Sequence, residues 1–264
     1  MEASVENRKP GVLIISHGSR DKQWVHLVEN AVDQMELSRN VPVECSFLEL
    51  VEGKLIQDGI DRLEAQGVTD LITVPLFVAS GSTHIDEISW ALGVKEEPVL
   101  ETDLERFRLS SRVHFCEPMD DDPLVVEMMY DKIKALSAQP EQEIVLILAH
   151  GSIEKGFHLT WRRMLESLAA QLKARGGFDE TDVAMLLPDQ TDRKMKWWRK
   201  HKPEHSVIVA PLFLSAGYFT NKVIPDRMKA YDYRYNGHAL LPHPLVKTWL
   251  EKRVEDKLHE LFSG

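Results

Sequence analysis

The chain has 264 residues, 32 of them basic and 42 acidic, for a formal net charge of −10. That balance excludes a surface built throughout to hold nucleic-acid phosphates, and a composition of 43% hydrophobic and 28% charged residues excludes global disorder. Cys45 and Cys116 are the only cysteines and form no CxxC pair, which excludes a disulfide framework and a cysteine-type zinc site.

Reduced cytosol fits this cysteine usage. The first ten residues, MEASVENRKP, carry no apolar leader, and no run is long and apolar enough to span a bilayer. The reading is therefore a cytoplasmic protein with neither membrane nor nucleic acid as partner, and at about 150 residues per domain its length suits two domains.

The first β-branched run, residues 12–16, predicts a strand that ends on His17, followed by Gly18, Ser19 and Arg20 and then a helix. The carboxyl end of a strand is the ligand-binding edge of an α/β sheet. A glycine there turns the chain sharply and brings N–H groups near a bound anion, and His17 offers a nitrogen to a metal or a proton. A strand-ending histidine bonded to a neighbouring carbonyl explains the same residue.

The second strand, residues 43–50, carries Glu49 among Phe47, Leu48 and Leu50. At an apolar mouth partial desolvation would raise its pKa and suit it to accepting protons, while a glutamate pointing into water is the alternative. The third strand, residues 71–78, leads into SGSTHIDEI, where Thr83 can cap a helix with Asp86 three residues on as in a capping box. That puts His84 in the first helical turn near the edge that holds His17, so two imidazoles could share one divalent cation and leave positions open; an exposed first-turn histidine is the competing reading.

A fourth strand at 112–116 precedes Met119, Asp120, Asp121 and Asp122, which read as a solvated turn or, less favoured, a hard-cation site. A helix then runs from about Pro123 to Leu136, and PEQE near Pro140 marks a boundary between domains 1–139 and 140–264.

The rhythm begins again with strands at 143–149, 182–187, 206–214 and 238–241. Between them RKMKWWRKHK (193–202) reads as a helix with tryptophans inward and lysines outward, in preference to a stacking platform for single strands. LIISHGS (13–19) is matched by LILAHGS (146–152), VPLFVASG (74–81) by APLFLSAG (210–217), and DPLVVEMM (122–129) by HPLVKTWL (243–250). Three matches in one order indicate an internal duplication with drifted loops. The fold class is α/β: two similar domains, each a buried parallel sheet with helices on both faces, of the kind that forms a cleft at the carboxyl ends of the strands. GxGxxG, GxxxxGK[ST] and GxSxG are absent, which weakens nucleotide and hydrolase-elbow readings.

Strand–HGSR, then FLEL, then VPLF followed by a glycine and a histidine, with much of it repeated, resembles the class II chelatases of the CbiX and SirB type, the sirohydrochlorin cobalto- and ferrochelatases. The resemblance covers nearly the whole chain and fits the long form with two chelatase-like domains fused. It implies that His17 and His84 hold the metal during insertion and that Glu49 assists. The implied reaction is ATP-independent insertion of a divalent metal, Fe²⁺ or Co²⁺ with Ni²⁺ also suited, into sirohydrochlorin, in siroheme or cobalamin biosynthesis. The metal is a substrate and no nucleotide takes part.

Carboxylates of the tetrapyrrole would meet Gly18, Ser19 and Arg20 and the turn of Ser80, Gly81, Ser82 and Thr83. In the family pattern the second histidine falls eight residues after the PLF proline and is followed by DIP; here His84 is nine after Pro75, and the triplet is Glu87–Ile88–Ser89. The second half keeps His150, Gly151 and Ser152 and has Val223–Ile224–Pro225, yet carries Phe219 and Thr220 where the other histidine falls. Metal is therefore expected only in the first domain, with the second as cleft wall and His150 a relic or a polar contact. Two fused halves could replace a homodimer, so a monomer is expected. A carrier that binds tetrapyrrole or metal without turnover is the alternative.

Overall fold

The computed structural model describes residues 8–263, so the first seven residues, on which the leader argument partly rests, lie outside it. In chain order the elements are β1 (Pro10–Ser16), α1 (Lys22–Asp33), β2 (Val43–Phe47), α2 (Ile56–Ala65), β3 (Asp70–Pro75), α3 (Thr83–Ala91), β4 (Arg112–Phe115) and α4 (Pro123–Ile133). They are followed by β5 (Glu143–Gly151), α5 (Lys155–Gly176), β6 (Glu180–Leu187), α6 (Thr191–His201), β7 (Ser206–Leu212), α7 (Ile224–Met228) and α8 (Pro244–Ser263). One sheet has the order β2-β1-β3-β4 and the other β6-β5-β7, with every pairing parallel.

Successive side chains of a strand point to opposite faces, so a strand buried at every position has both faces covered. Val12, Leu13, Ile14 and Ile15 of β1 are all fully buried, as are Ile144 to Ala149 of β5. On one face of the first sheet Leu13, Ile15 and Leu71 pack with Ile56, Ile60 and Leu63 of α2 and Ile85 and Ile88 of α3. On one face of the second, Leu146, Leu148, Ala184 and Val209 pack with Met195 and Trp198 of α6 and Met228 of α7.

The chain folds into two compact units. One takes in the chain up to Phe77, Thr83–Pro118 and everything from Pro244 on; the other is Val78–Ser82 with Met119–His243. These units do not follow the repeat boundary read near Pro140. Helix α4 ends the first repeat yet packs on α5 and β7, and α8 ends the second repeat yet packs on α1 and β3. The physical cause lies in the apolar sides of these two helices. Val125, Val126, Met128 and Met129 of α4, and Val246, Trp249 and Leu250 of α8, are buried in the units that claim them.

Three expectations need correction. Residues 238–241 form no strand: Leu240 and Leu241 donate one backbone bond each to the carbonyls of Phe213 and Leu214, past the end of β7, and the next residue is Pro242, which has no N–H to continue a ladder. Among the described residues only an isolated bridge between Ile208 and Arg234 extends the second sheet. In α6 one tryptophan faces in and one out, since Trp198 is buried while Trp197 is 48% exposed and stacks on His201. The capping box at α3 does not form either. Thr83 is already helical, and Asp86 binds the Lys95 ammonium and accepts the Val99 N–H. Among the described residues no helix is long and apolar enough to cross a membrane.

Candidate active site

β1 delivers His17 to the carboxyl edge of the first sheet, and the adjoining backbone brings Glu49 beside it. Beyond the last β1–β2 pair the Leu48 N–H donates to the Ser16 carbonyl and the Glu49 N–H to the His17 carbonyl, at 2.9 and 3.1 Å. This continuation needs Gly18, which has φ +97°; a β-carbon there would lie 2.0 Å from the Glu49 carbonyl oxygen. Glycine is required because the two backbones approach so closely.

The His17 Nδ1–H donates to the Gly18 carbonyl at 3.1 Å and has a Glu49 carboxylate oxygen at 3.7 Å. The neighbouring-carbonyl contact foreseen for a structural histidine is therefore present in the same ring that faces the other candidates. Glu49 lies in a bend after β2, and its side chain is 52% exposed. Its neighbours Phe47 and Leu48 face the core, while Leu50 is half in solvent.

From the next strand the Leu76 N–H bonds to the Ile15 carbonyl, and α3 then carries His84 back over the edge. The rings of His17 and His84 meet edge to face, with centroids 4.6 Å apart and planes at 81°; the Phe77 ring is centred 6.3 Å from that of His84. The one-residue shift of His84 against the family pattern thus leaves its ring beside His17.

His84 Nδ1–H donates to Glu87 at 2.6 Å, and the other Glu87 oxygen accepts the Thr102 hydroxyl at 2.7 Å. Burial works to raise the pKa of Glu87, but the bonds from His84 and Thr102 and the nearby imidazoles prevail and hold it below the ordinary carboxylate value. From sequence, Glu87 stands out only in the triplet that replaces DIP, with no role, and Thr102 not at all. A carboxylate three residues after a histidine on one helix was the available signal for the first. Thr102 sits in a long irregular stretch between α3 and β4 and gave none. Among the described residues no three His, Cys, Asp or Glu side chains gather into a group able to hold a metal ion.

The Ser19 hydroxyl accepts the Asp21 N–H, and Asp21 caps α1. Arg20 is exposed, with no ion pair among the described residues. Ser80, Gly81 and Ser82 belong to the other unit. There the Ser80 N–H donates to Asp120, the Ser82 N–H to the Ala79 carbonyl, and Gly81 lies so close to Trp161 that a β-carbon would come within 2.7 Å of its ring. The Ser80 and Ser82 amides, foreseen as receiving substrate carboxylates, are committed within the protein. The aspartate run is likewise divided: beside Asp120 on Ser80, Asp121 accepts the Ser167 hydroxyl and Asp122 caps α4.

In the second unit His150 Nδ1–H donates to the Gly151 carbonyl at 3.1 Å, and its ring meets Phe219 edge to face at 4.9 Å.

The CbiX family model matches residues 11–136 and again 144–257. The sirohydrochlorin ferrochelatase of Bacillus subtilis is 29% identical over 253 residues, 94% of this chain and 92% of its own. A sirohydrochlorin cobaltochelatase of Sulfolobus acidocaldarius is 29% identical over 131 residues, 49% of this chain and 94% of its own. Among solved structures, SirB from Bacillus subtilis with Fe³⁺ superposes with a TM-score of 0.71 at 22% identity, covering 94% of this chain and 95% of that one.

Proposed function

The chain belongs to the CbiX family, and from that premise we propose that it is a sirohydrochlorin chelatase, inserting a divalent metal such as Fe²⁺ or Co²⁺ into the macrocycle without ATP. The observation that carries this reading is the edge-to-face pair of His17 and His84 at 4.6 Å, with Glu49 beside it, at the carboxyl edge of a parallel sheet.

Insertion exchanges two pyrrole N–H protons for one cation. It needs donors that hold the ion weakly enough to release it, and a base. Imidazole nitrogens are borderline donors suited to Fe²⁺, Co²⁺ and Ni²⁺, and two of them leave the remaining coordination positions to water and then to the macrocycle. Both Nδ1 atoms are engaged by oxygens, so Nε2 is the nitrogen each ring would turn to the ion. Glu49, open to solvent on one side, would accept pyrrole protons and pass them to water. The metal is a substrate, delivered and consumed. Arg20, exposed just past His17, suits a macrocycle carboxylate. The protein would act as a cytoplasmic monomer, its two repeats in one chain doing the work of two short ones.

The test is anaerobic spectral conversion of sirohydrochlorin with Fe²⁺, Co²⁺ and Ni²⁺. Wild type converts the chromophore, while His17→Ala and His84→Ala lower the rate by at least about 100-fold, the scale set by losing a positioned reacting group. Wild-type protein that binds the tetrapyrrole but never metallates it would replace this reading with that of a carrier.

A further inference from the structure

We propose that Glu87 is a positioning residue for the metal-handling histidine, and that Thr102, from the irregular stretch between α3 and β4, sets Glu87 in place. The inference rests on the reading of His84 as a metal donor and adds to it a chain of contacts running away from the site.

An imidazole on a helix keeps rotational freedom about its last side-chain bond, and either ring nitrogen can carry the proton. Glu87, one turn along α3, removes both freedoms by accepting Nδ1–H at 2.6 Å, which puts the proton on Nδ1 and holds the ring where its centroid lies 4.6 Å from that of His17. A carboxylate so placed also makes the opposite nitrogen a better donor.

Glu87 would have freedom of its own were its second oxygen not taken by the Thr102 hydroxyl at 2.7 Å. Thr102 is in turn held by its surroundings. Its hydroxyl accepts the Leu104 N–H, Leu104 and Phe107 pack on the core beneath α3, and the Val99 N–H donates to Asp86 on the same helix. The stretch after α3 therefore acts as a brace, and its contact with the site passes through one hydroxyl and one carboxylate. A surface salt bridge would not need this arrangement: Glu87 is only 22% exposed, and its partner is a ring that faces a second histidine.

The test measures Co²⁺ binding to the protein alone, from the d–d absorption of the bound ion, together with steady-state kinetics in metal and in sirohydrochlorin. Glu87→Ala is expected to weaken Co²⁺ binding and raise KM for the metal by about 10- to 100-fold, with kcat at saturating metal and KM for sirohydrochlorin changed far less. Thr102→Val leaves the carboxylate in place and should move the same constants a few-fold in the same direction. Glu87→Gln, which keeps an acceptor oxygen, should recover part of the loss. In a His84→Ala background Glu87→Ala should add nothing.

If His84→Ala weakens Co²⁺ binding while Glu87→Ala and Thr102→Val leave it unchanged, the positioning role is wrong and the donor role stands. If His84→Ala itself leaves binding unchanged, the donor reading falls and this inference with it. If Glu87→Ala does not fold, Thr102→Val and Glu87→Gln decide by the same constants.

Discussion

His150 and Phe219 repeat, in the second half of the chain, the edge-to-face relation that His17 and His84 have in the first: 4.9 Å and 77° against 4.6 Å and 81°. Each histidine also donates through Nδ1 to the carbonyl of the glycine after it, at 3.1 Å in both cases. The two halves thus share the geometry of a paired-ring edge, with an imidazole as the second ring in one and a hydrocarbon ring in the other. Phe219 stacks on Phe213, so its site is shaped for packing. No carboxylate stands at the matching spacing, where the residue three after Phe219 is Lys222, which pairs with Asp226.

Phe219→His should therefore restore a second, weaker cation site. Titration with Co²⁺ is expected to rise from one equivalent to two, the added one binding less tightly for want of a carboxylate behind the ring. Adding Lys222→Glu should tighten it by about 10-fold. A stoichiometry that stays at one would mean that the second pair no longer has the aim of the first.

Gly18 joins His17 to Glu49 through a close backbone approach, and Gly18→Ala should break that junction. At φ +97° an alanine is strained, and its methyl would sit 2.0 Å from the Glu49 carbonyl oxygen, an overlap relieved only by moving one backbone from the other. The expected loss is at least ~2 kcal/mol of stability with a fall in kcat/KM of about 100-fold from misplaced groups. Gly53→Ala is the control. It has φ +75° with open space around the added carbon, so it should cost only about 1 kcal/mol and leave metal insertion intact. Equal effects of the two substitutions on chelation would refute the junction.

Much of this was legible from the residues. Continuous apolar runs such as LITVPLFV are too apolar to leave one face in water, and β1 to β7 begin and end within a few residues of those runs. His17, His84 and Glu49 stood out because each lies at or past the carboxyl end of an expected strand. Three features were not legible, each for a physical reason. Glu87 looks like any exposed helical acid until α3 is placed over the edge. Asp86 obeys the capping-box spacing, but the Lys95 ammonium and the Val99 N–H compete for it and win. The allegiance of α4 and α8 depends on which sheet their apolar sides meet, and neighbouring order along the chain carries no information about that.

Glu143 opens β5 almost wholly buried, accepting the Ser137 hydroxyl, the Ala138 and Gln139 N–H groups and the Arg234 guanidinium. Burial alone would raise its pKa, yet these donors outweigh it and hold the carboxyl below the ordinary glutamate value. A depressed folded value means that the stabilisation is complete above the unfolded value of about 4.3 and is lost as pH falls through the folded one. Glu143→Gln should thus flatten the loss of stability below about pH 4 relative to wild type. Glu143→Leu, which removes the shared acceptor of four donors, should cost about 3 kcal/mol at neutral pH. Denaturant midpoints measured across the acid range check both. Parallel wild-type and Glu143→Gln curves would show that this carboxylate contributes nothing to acid stability.

The crossed allegiance of α4 and α8 gives the last prediction. Trp249, on the helix that ends the chain, is fully buried among the elements that carry His17 and His84, whereas Met128, far nearer to them in sequence, is fully buried in the unit built on β5, β6 and β7. Truncating either to alanine removes a large buried side chain, at about 3–5 kcal/mol for the tryptophan and 2–5 for the methionine. Which strands loosen is the informative part. Hydrogen exchange should show Trp249→Ala lowering amide protection first in β1 and β3 and weakening Co²⁺ binding at the histidine pair, while Met128→Ala lowers it first in β5 and β7 and leaves that binding intact. Were each helix to support the sheet of its own repeat, the two patterns would be reversed. The cation site would then depend on residue 128 and be indifferent to residue 249.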